Sequence, residues 1–312
     1  MSCFLIRFFL CLALGQMLSG LVAACELRDG ESTPMLWFPP KYKAKEPAED
    51  YTFKIIQLIL NKSEAKYGPC DVRILRRDLP LRRMMLYLEK NELIDVISLT
   101  VNQKRETTLI PIKIPIAKGM VGFRVFIIRK GDQPRFSQIN NLEDLRGFVA
   151  GQGKGWSDVE VLAQTGLRSV TTDNVPSLVN MLVAGRFDYY PRGARQLIPE
   201  LKIYEGLPVQ VESKLVLSYP SMTALYVNPE RQNLAQRLEY GLNIAIADGS
   251  VDKLFYTHPT TSTALKKLNF EKRTIIKMCN PMIPDWVPTD KSNYWLYPWP
   301  KDLCARNGPR TK

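Results

Sequence analysis

Apolar residues alternate between two patterns along this chain. Short, nearly continuous runs such as "DVISLT" and "MTALYV" have the character of strands, and the longer stretches between them place apolar residues three and four apart, the spacing of one helix face. "CELRDG" opens the series as a short strand and leads into a Pro-rich loop, "STPMLWFPPKYKAKEPAED", with Trp37 and Phe38 near its centre. "YTFKIIQLILNKSEAK" reads as a helix with Ile55, Ile56, Ile59 and Leu60 on one face. "CDVRIL" follows as a strand, "LRRMMLYLEKN" as a short helix and "DVISLT" as a buried strand. From residue 120 the pattern starts again. "MVGFRVFIIRKGD" is a strand, "NLEDLRG" a helical turn and "FVAGQGKGW" a strand ending in a Gly-rich loop. Ser157 and Glu160 form an S-x-x-E capping box at the start of the helix "DVEVLAQTG". "VPSLVNMLVAG" is helical, "RFDYYP" strand-like and "MTALYVNP" a last strand. "ERQNLAQRLEYGLNIAIADGS" is a helix with Leu234, Leu238 and Leu242 in register, stopped by Gly249. The remainder, 259–312, is rich in proline and aromatic residues, Trp286, Trp295 and Trp299 among them. Alternating strands and helices place the chain in the α/β class.

The two halves echo each other. "MMLYLEKNELIDVIS" and "SLVNMLVAGRFDYYP" both read as a helix, a tight turn and an aspartate that opens a strand. Two lobes of similar architecture would produce this, and so would one α/β domain of repeated units. Asp95 and Asp188, at the two strand openings, are expected to organise turns.

The first 24 residues change the picture of where the chain works. "MSCFLIRFFLCLALGQMLSGLVAA" carries one charge, Arg7, then an apolar stretch, then small residues, which is the pattern of a secretory signal peptide. Its Gly15, Gln16, Ser19 and Gly20 make it a poor permanent span. Val22-Ala23-Ala24 fits cleavage before Cys25, so the mature protein is expected to be exported, periplasmic and soluble. It would then keep Cys25, Cys70, Cys279 and Cys304, an even number in an oxidising compartment. Three pairings are open. If the strands beginning at Cys25 and Cys70 are parallel neighbours, their starts lie within bridging reach, which favours Cys25–Cys70 and Cys279–Cys304. "VAAC" also loosely resembles a lipoprotein processing site, which would place a lipid on Cys25 instead. A zinc site is not expected, since there is no C-x-x-C pair and His258 is the single histidine.

The formal net charge is +12 over 312 residues. The basic residues are scattered, with the densest run in "RILRRDLPLRR", and no nucleic-acid module is visible, so a solvated basic surface is the plain reading. One segment asks for more. "DVISLTVNQKRE" brings Ser98, Thr100 and, five residues after Thr100, Arg105 to the carboxyl end of a buried strand. Hydroxyls and a guanidinium in that place are suited to an anion.

This segment resembles the ligand-contacting segment of periplasmic solute-binding proteins of the polar amino-acid type (family 3, type 2 periplasmic-binding fold). "LPLRRMMLYLEKNELID", "GRFDYYPRG" and "LAQRLEYGLNIAIADGSVDKLFYTH" look like further elements of that family in the same order, from about residue 25 to 258. The resemblance implies two α/β lobes hinged around a cleft, lobe one being 25–117 plus 223–312 and lobe two 118–222. It implies that Arg105 holds a ligand carboxylate, that Ser98 and Thr100 bond the same ligand, and that Trp37 or Phe38 stacks over it. The loop "GQGKGWS", with Gly153, Lys154 and Trp156, would offer backbone amides at a helix N-terminus. The sequence departs from the family at the ammonium-binding aspartate, whose place falls at Arg192 or Gly193. Arg105 and Arg192 facing one cleft would suit a carboxylate- or phosphate-bearing solute.

No Ser-His-Asp or Cys-His set can be assembled, so catalysis is not expected, although a dehydratase-type enzyme on this fold is an alternative. The expectation is a monomeric, cofactor-free binding protein for a small anionic or zwitterionic solute. It would close on its hinge and serve an ABC-type permease or, alternatively, a membrane sensor.

Overall fold

The computed structural model describes residues 24–27, 30, 32–39, 50–77, 79–101 and 103–304; the expected leader, 1–24, lies outside the described residues except for Ala24. The first strand, β1 (Met35–Phe38), is the apolar run MLWF, inside the segment expected to be a loop. A continuous apolar run suits a strand covered on both faces, and the flanking prolines disguise it in the sequence. "CELRDG" makes a single bridge instead, Glu26 against Met35. Its Leu27 is 64% exposed, so the stretch has no apolar face to bury.

Helix α1 (Tyr51–Tyr67) starts on Asp50, whose carboxylate accepts from the amides of Thr52 and Phe53 at 2.7 and 3.1 Å. Then come β2 (Asp71–Ile74), α2 (Leu81–Glu89), β3 (Ile97–Thr100), a 3-10 turn over Gln103–Thr107 and the short β4 (Ile110–Pro111). The chain crosses to a second sheet at β5 (Phe123–Arg129). It continues through the short helices α3 (Gln133–Ser137) and α4 (Leu142–Leu145), β6 (Val149–Gly153), α5 (Ser157–Gln164), β7 (Arg168–Thr172), α6 (Leu178–Val183), β8 (Tyr190–Gly193), α7 (Ala194–Glu200), β9 (Val209–Val211) and β10 (Leu215–Ser218). It returns at β11 (Thr223–Val227), followed by α8 (Gln232–Ala247), α9 (Ser250–Thr257), α10 (Pro259–Lys267) and β12 (Thr274–Lys277). The expected capping box does not form: Ser157 is already the first residue of α5, and the cap position is held by Trp156 without a side-chain bond.

The two sheets share one topology. β2 and β1 pair in parallel, β1 meets the start of β3 through the amides of Asp95 and Val96 donating to the Trp37 carbonyl at 3.0 and 3.4 Å, and β11 lies antiparallel between β3 and β4. The order is therefore β2-β1-β3-β11-β4. In the second sheet β7 and β6 pair in parallel, β6 meets β8 through the Ala150–Tyr189 bridge, and β5 lies antiparallel to β8 on one side and to β9 and β10 on the other. Each sheet thus takes its one reversed strand from the chain just after a crossing. The two crossing segments touch where Gly122 meets Tyr219, since a Cβ on Gly122 would overlap the Tyr219 carbonyl.

A third crossing was not foreseen. β12 pairs in parallel with β10, so this part of 223–312 belongs with the second sheet. Its apolar positions and the free edge of β10 explain the placement, because an open edge is a liability that a further strand removes. Both expected disulfides form, Cys25–Cys70 with Cα atoms 6.1 Å apart and Cys279–Cys304 with Cα atoms 4.6 Å apart. Behind the first sheet, α1 and α8 pack so closely that a Cβ on Gly241 would overlap the Ile59 carbonyl oxygen.

Candidate functional site

Parallel strands in an α/β sheet present their carboxyl ends to ligands. Two aspartates fix which end is which. Asp95 Oδ2 accepts from the Trp37 amide at 2.6 Å, while the Asp95 amide donates to the Trp37 carbonyl. In the second sheet Asp188 Oδ2 accepts from the Val149 amide at 2.9 Å, while the Asp188 amide donates to the Val149 carbonyl. The same reciprocal clasp therefore joins β1 to β3 and β6 to β8, just before β3 and β8 begin. Arg231 at 3.2 Å from Asp95 and Arg135 at 3.3 Å from Asp188 complete it.

This clasp fixes the register of Trp37. Its backbone lies level with Asp95, five residues before the end of the β3 strand, or roughly 16 Å at about 3.3 Å per residue from the carboxyl end. Phe38 is buried core.

Ser98 and Thr100 do reach that end. Ser98 is buried, its hydroxyl 3.3 Å from that of Thr52 in the first turn of α1. Thr100 is the last residue of β3 and half-buried, and its carbonyl accepts from Nη1 of Arg105. Arg105 is half-buried in the 3-10 turn, and its own carbonyl accepts from the Leu109 amide at 3.0 Å. Its neighbour Glu106 accepts at Oε2 from the indole of Trp286 at 2.6 Å.

The second sheet gathers another group. A Cβ on Gly153, the last residue of β6, would overlap the Trp156 ring, so glycine here admits the indole against the strand end. The Trp156 ring lies 5.0 Å from the Arg192 guanidinium, and that of Tyr190 lies 5.1 Å from it. Burial pushes the Tyr190 phenol up to about 12, against the opposing pull of Arg192. The expectation that Arg192 offers a free cation is overturned. Glu200, eight residues on in the last turn of α7, takes both Nε, at 2.8 Å, and Nη2 in a forked pair, and Tyr204 donates to the same carboxylate at 3.1 Å.

Lys154 also departs from its expected role. Its ammonium faces Asp173 at 3.3 Å with both side chains well exposed, a pair of little energetic weight. Its amide is bonded to the Thr172 carbonyl at 2.9 Å. At the start of α5 a carboxylate already stands, because Asp158 is forked by Arg124, with Nη2 at 2.7 Å, and also accepts from the Tyr219 hydroxyl.

One residue of the strand-end group escaped the sequence reading. Arg195, in the first turn of α7, places its guanidinium 5.6 Å from the ring of Tyr51, the residue that opens α1. Tyr51 is anchored by its hydroxyl on the Ile116 carbonyl at 2.7 Å and by an edge contact with His258, 5.3 Å between rings. A helix of the second sheet thereby meets a helix of the first at the carboxyl ends. The signal was available, since Arg195 lies just beyond "GRFDYYPRG" at the strand-to-helix turn.

Two grooves lie elsewhere. One of about 590 Å³ runs between α9, α10 and Leu296–Tyr297, and one of about 220 Å³ lies between the end of β5 and the Leu201–Gln210 segment. None of the expected ligand residues lines either. Among the described residues no cluster of three His, Cys, Asp or Glu side chains is placed to hold a metal ion, and no helix is long and apolar enough to cross a membrane.

No protein-family model and no curated protein matches the chain. Solved structures do. The chain is similar to an ancestral arginine-binding protein bound to arginine, at 17% identity over 72% of this chain and 97% of that one, with a TM-score of 0.47. It is similar to an amino acid ABC transporter substrate-binding protein from Streptococcus pneumoniae bound to L-arginine, at 13% identity over 74% and 94%, with a TM-score of 0.48. It is similar also to the VFT2 domain of BvgS from Bordetella pertussis, at 17% identity over 70% and 90%, with a TM-score of 0.48.

Proposed function

We propose that this chain is an exported, two-lobed solute-binding protein that grips a small carboxylate-bearing solute between its lobes and delivers it to a membrane permease or sensor. Lobe one is 25–117 and 223–312 without β12, and lobe two is 118–222 with β12. The observation that supports this reading is the duplicated sheet, each copy pinned by its aspartate and each reversing the one strand that follows a crossing. That arrangement turns two sets of strand carboxyl ends toward one another across a pair of crossings.

Arg105, Ser98 and Thr100 hold the solute's carboxylate from lobe one. Arg195 approaches from lobe two, beside Tyr51. Arg192 is excluded from the ligand shell by Glu200 and instead stiffens lobe two. Contacts to both lobes favour the closed arrangement over the open one by their differential affinity alone. The net charge, +12 for the full chain and +11 once Arg7 leaves with the leader, steers anionic solutes toward the protein.

The test is a thermal-shift screen of the purified protein against amino acids, dicarboxylates and phosphorylated metabolites. A true ligand at a hundred times its Kd stabilises the fold by about 2.7 kcal/mol. Arg105→Ala is expected to abolish that shift while the circular dichroism spectrum stays native. A full shift in Arg105→Ala removes this residue from the site. Turnover of the bound acid would transfer the reading to an enzyme.

A further inference from the structure

After β12 the chain does not leave the molecule. The Met278 amide donates to the Ser218 carbonyl at 2.8 Å, and the buried Asn280 donates from Nδ2 to the Pro220 carbonyl at 2.7 Å. The first acceptor ends β10 and the second lies on the second crossing. The segment then delivers Trp286 to Glu106, beside Arg105, with the Lys113 ammonium 5.5 Å from the Trp286 ring. Further on it reaches the first crossing. The Leu296 amide donates to the Lys118 carbonyl at 2.9 Å, the Tyr297 ring stands 5.8 Å from that of Phe123, and a Cβ on Gly119 would overlap the buried Trp295 ring. Cys279–Cys304 closes the segment on itself.

Lys118 and Gly119 are where a bend is stored. Both have positive φ, +46° and +68°, and for lysine that is a strained conformation which must be held by its surroundings. The surroundings are explicit. The buried Lys118 ammonium donates to Asp252 at 2.8 Å and to the Asn293 carbonyl at 3.0 Å. Lobe closure in a hinged protein is absorbed by φ/ψ changes at a few such residues. Here those residues lie under an indole and are bonded to the tail.

We infer that residues 278–304 form a clamp that fixes the angle between the two sheets and, through Trp286 and Glu106, the attitude of the Arg105 turn. The first half of this inference is independent of any ligand; the second, that the clamp tunes solute capture, rests on the solute-binding reading. A clamp that holds the competent angle keeps apparent affinity near its intrinsic value, because affinity falls with the fraction of competent molecules.

Both readouts are taken on solute-free protein, so a failed ligand screen leaves them intact. The variants are C279S/C304S, which opens the clamp, and W286F, which removes one N–H donor and keeps a ring. Amide hydrogen exchange at residues 118–123 is expected to accelerate by about tenfold or more in C279S/C304S, with a broader interlobe distance distribution between spin labels at Lys90 and Glu160. In W286F the acceleration is expected at 103–109 and not at 118–123. Unchanged exchange at 118–123 in C279S/C304S, with the tail shown released by new proteolytic cleavage within 281–303, overturns the clamp. Should that variant fail to fold, W286F decides: unchanged exchange at 103–109 overturns the link to the Arg105 turn. If both behave as expected and the ligand screen also succeeds, C279S/C304S weakens solute binding, and unchanged affinity overturns the tuning alone.

Discussion

Arg192 and Glu200 show how far a single side chain can be read from its neighbours in sequence. The arginine was visible at the end of a strand, where a cation suits an anionic ligand. Its partner was not, because the eight-residue separation becomes a contact only once α7 turns back from the end of β8. With 11% and 21% of their side chains exposed, the two form a largely buried pair. Arg192→Met therefore leaves Glu200 uncompensated and is expected to cost about 3 kcal/mol in urea unfolding, while R192M/E200M recovers most of that loss. A variant R192M of native stability that no longer responds to solute would return Arg192 to the ligand shell. Asp95 and Asp188, by contrast, were legible as strand-opening residues. What the sequence could not display was that each clasps the backbone of the strand next to it, and that the clasp sets Trp37 level with the start of β3.

Among elements, those with a clear period were legible and those masked by their flanks were not. α1 and α8 carry apolar faces at helical spacing and form where expected. β1 is an apolar run between prolines and polar residues and was hidden by them. β12 was hidden for another reason: its place depends on the free edge of β10, 59 residues earlier, which no local pattern announces. α1 and α8 meet at Gly241, where the absence of a Cβ lets the Ile59 carbonyl approach. Gly241→Ala is expected to lower stability by about 1–3 kcal/mol despite alanine's better helix propensity. A neutral or stabilising result in chemical denaturation would mean that the two helices pack less closely than described.

For the whole molecule, the repeat in the sequence announced two similar halves, and the sheets answer with one strand order used twice. The strand-end residues Ser98, Thr100 and Arg105 were legible because hydroxyls and a guanidinium end a buried run. Arg195 stood just beyond a matched segment, but its contact with Tyr51, like the contacts of the tail, joins segments far apart in the chain. If a solute sits between the lobes, it must contact both sets of strand ends at once. If instead it occupies the groove beside α9 and α10, neither set is involved. Hydrogen exchange of the protein saturated with its best thermal-shift ligand, compared with the free protein, separates these cases. Protection is expected together at residues 98–107 of lobe one and at 153–157 and 193–196 of lobe two; protection confined to 256–271, or to one lobe alone, contradicts capture between the lobes.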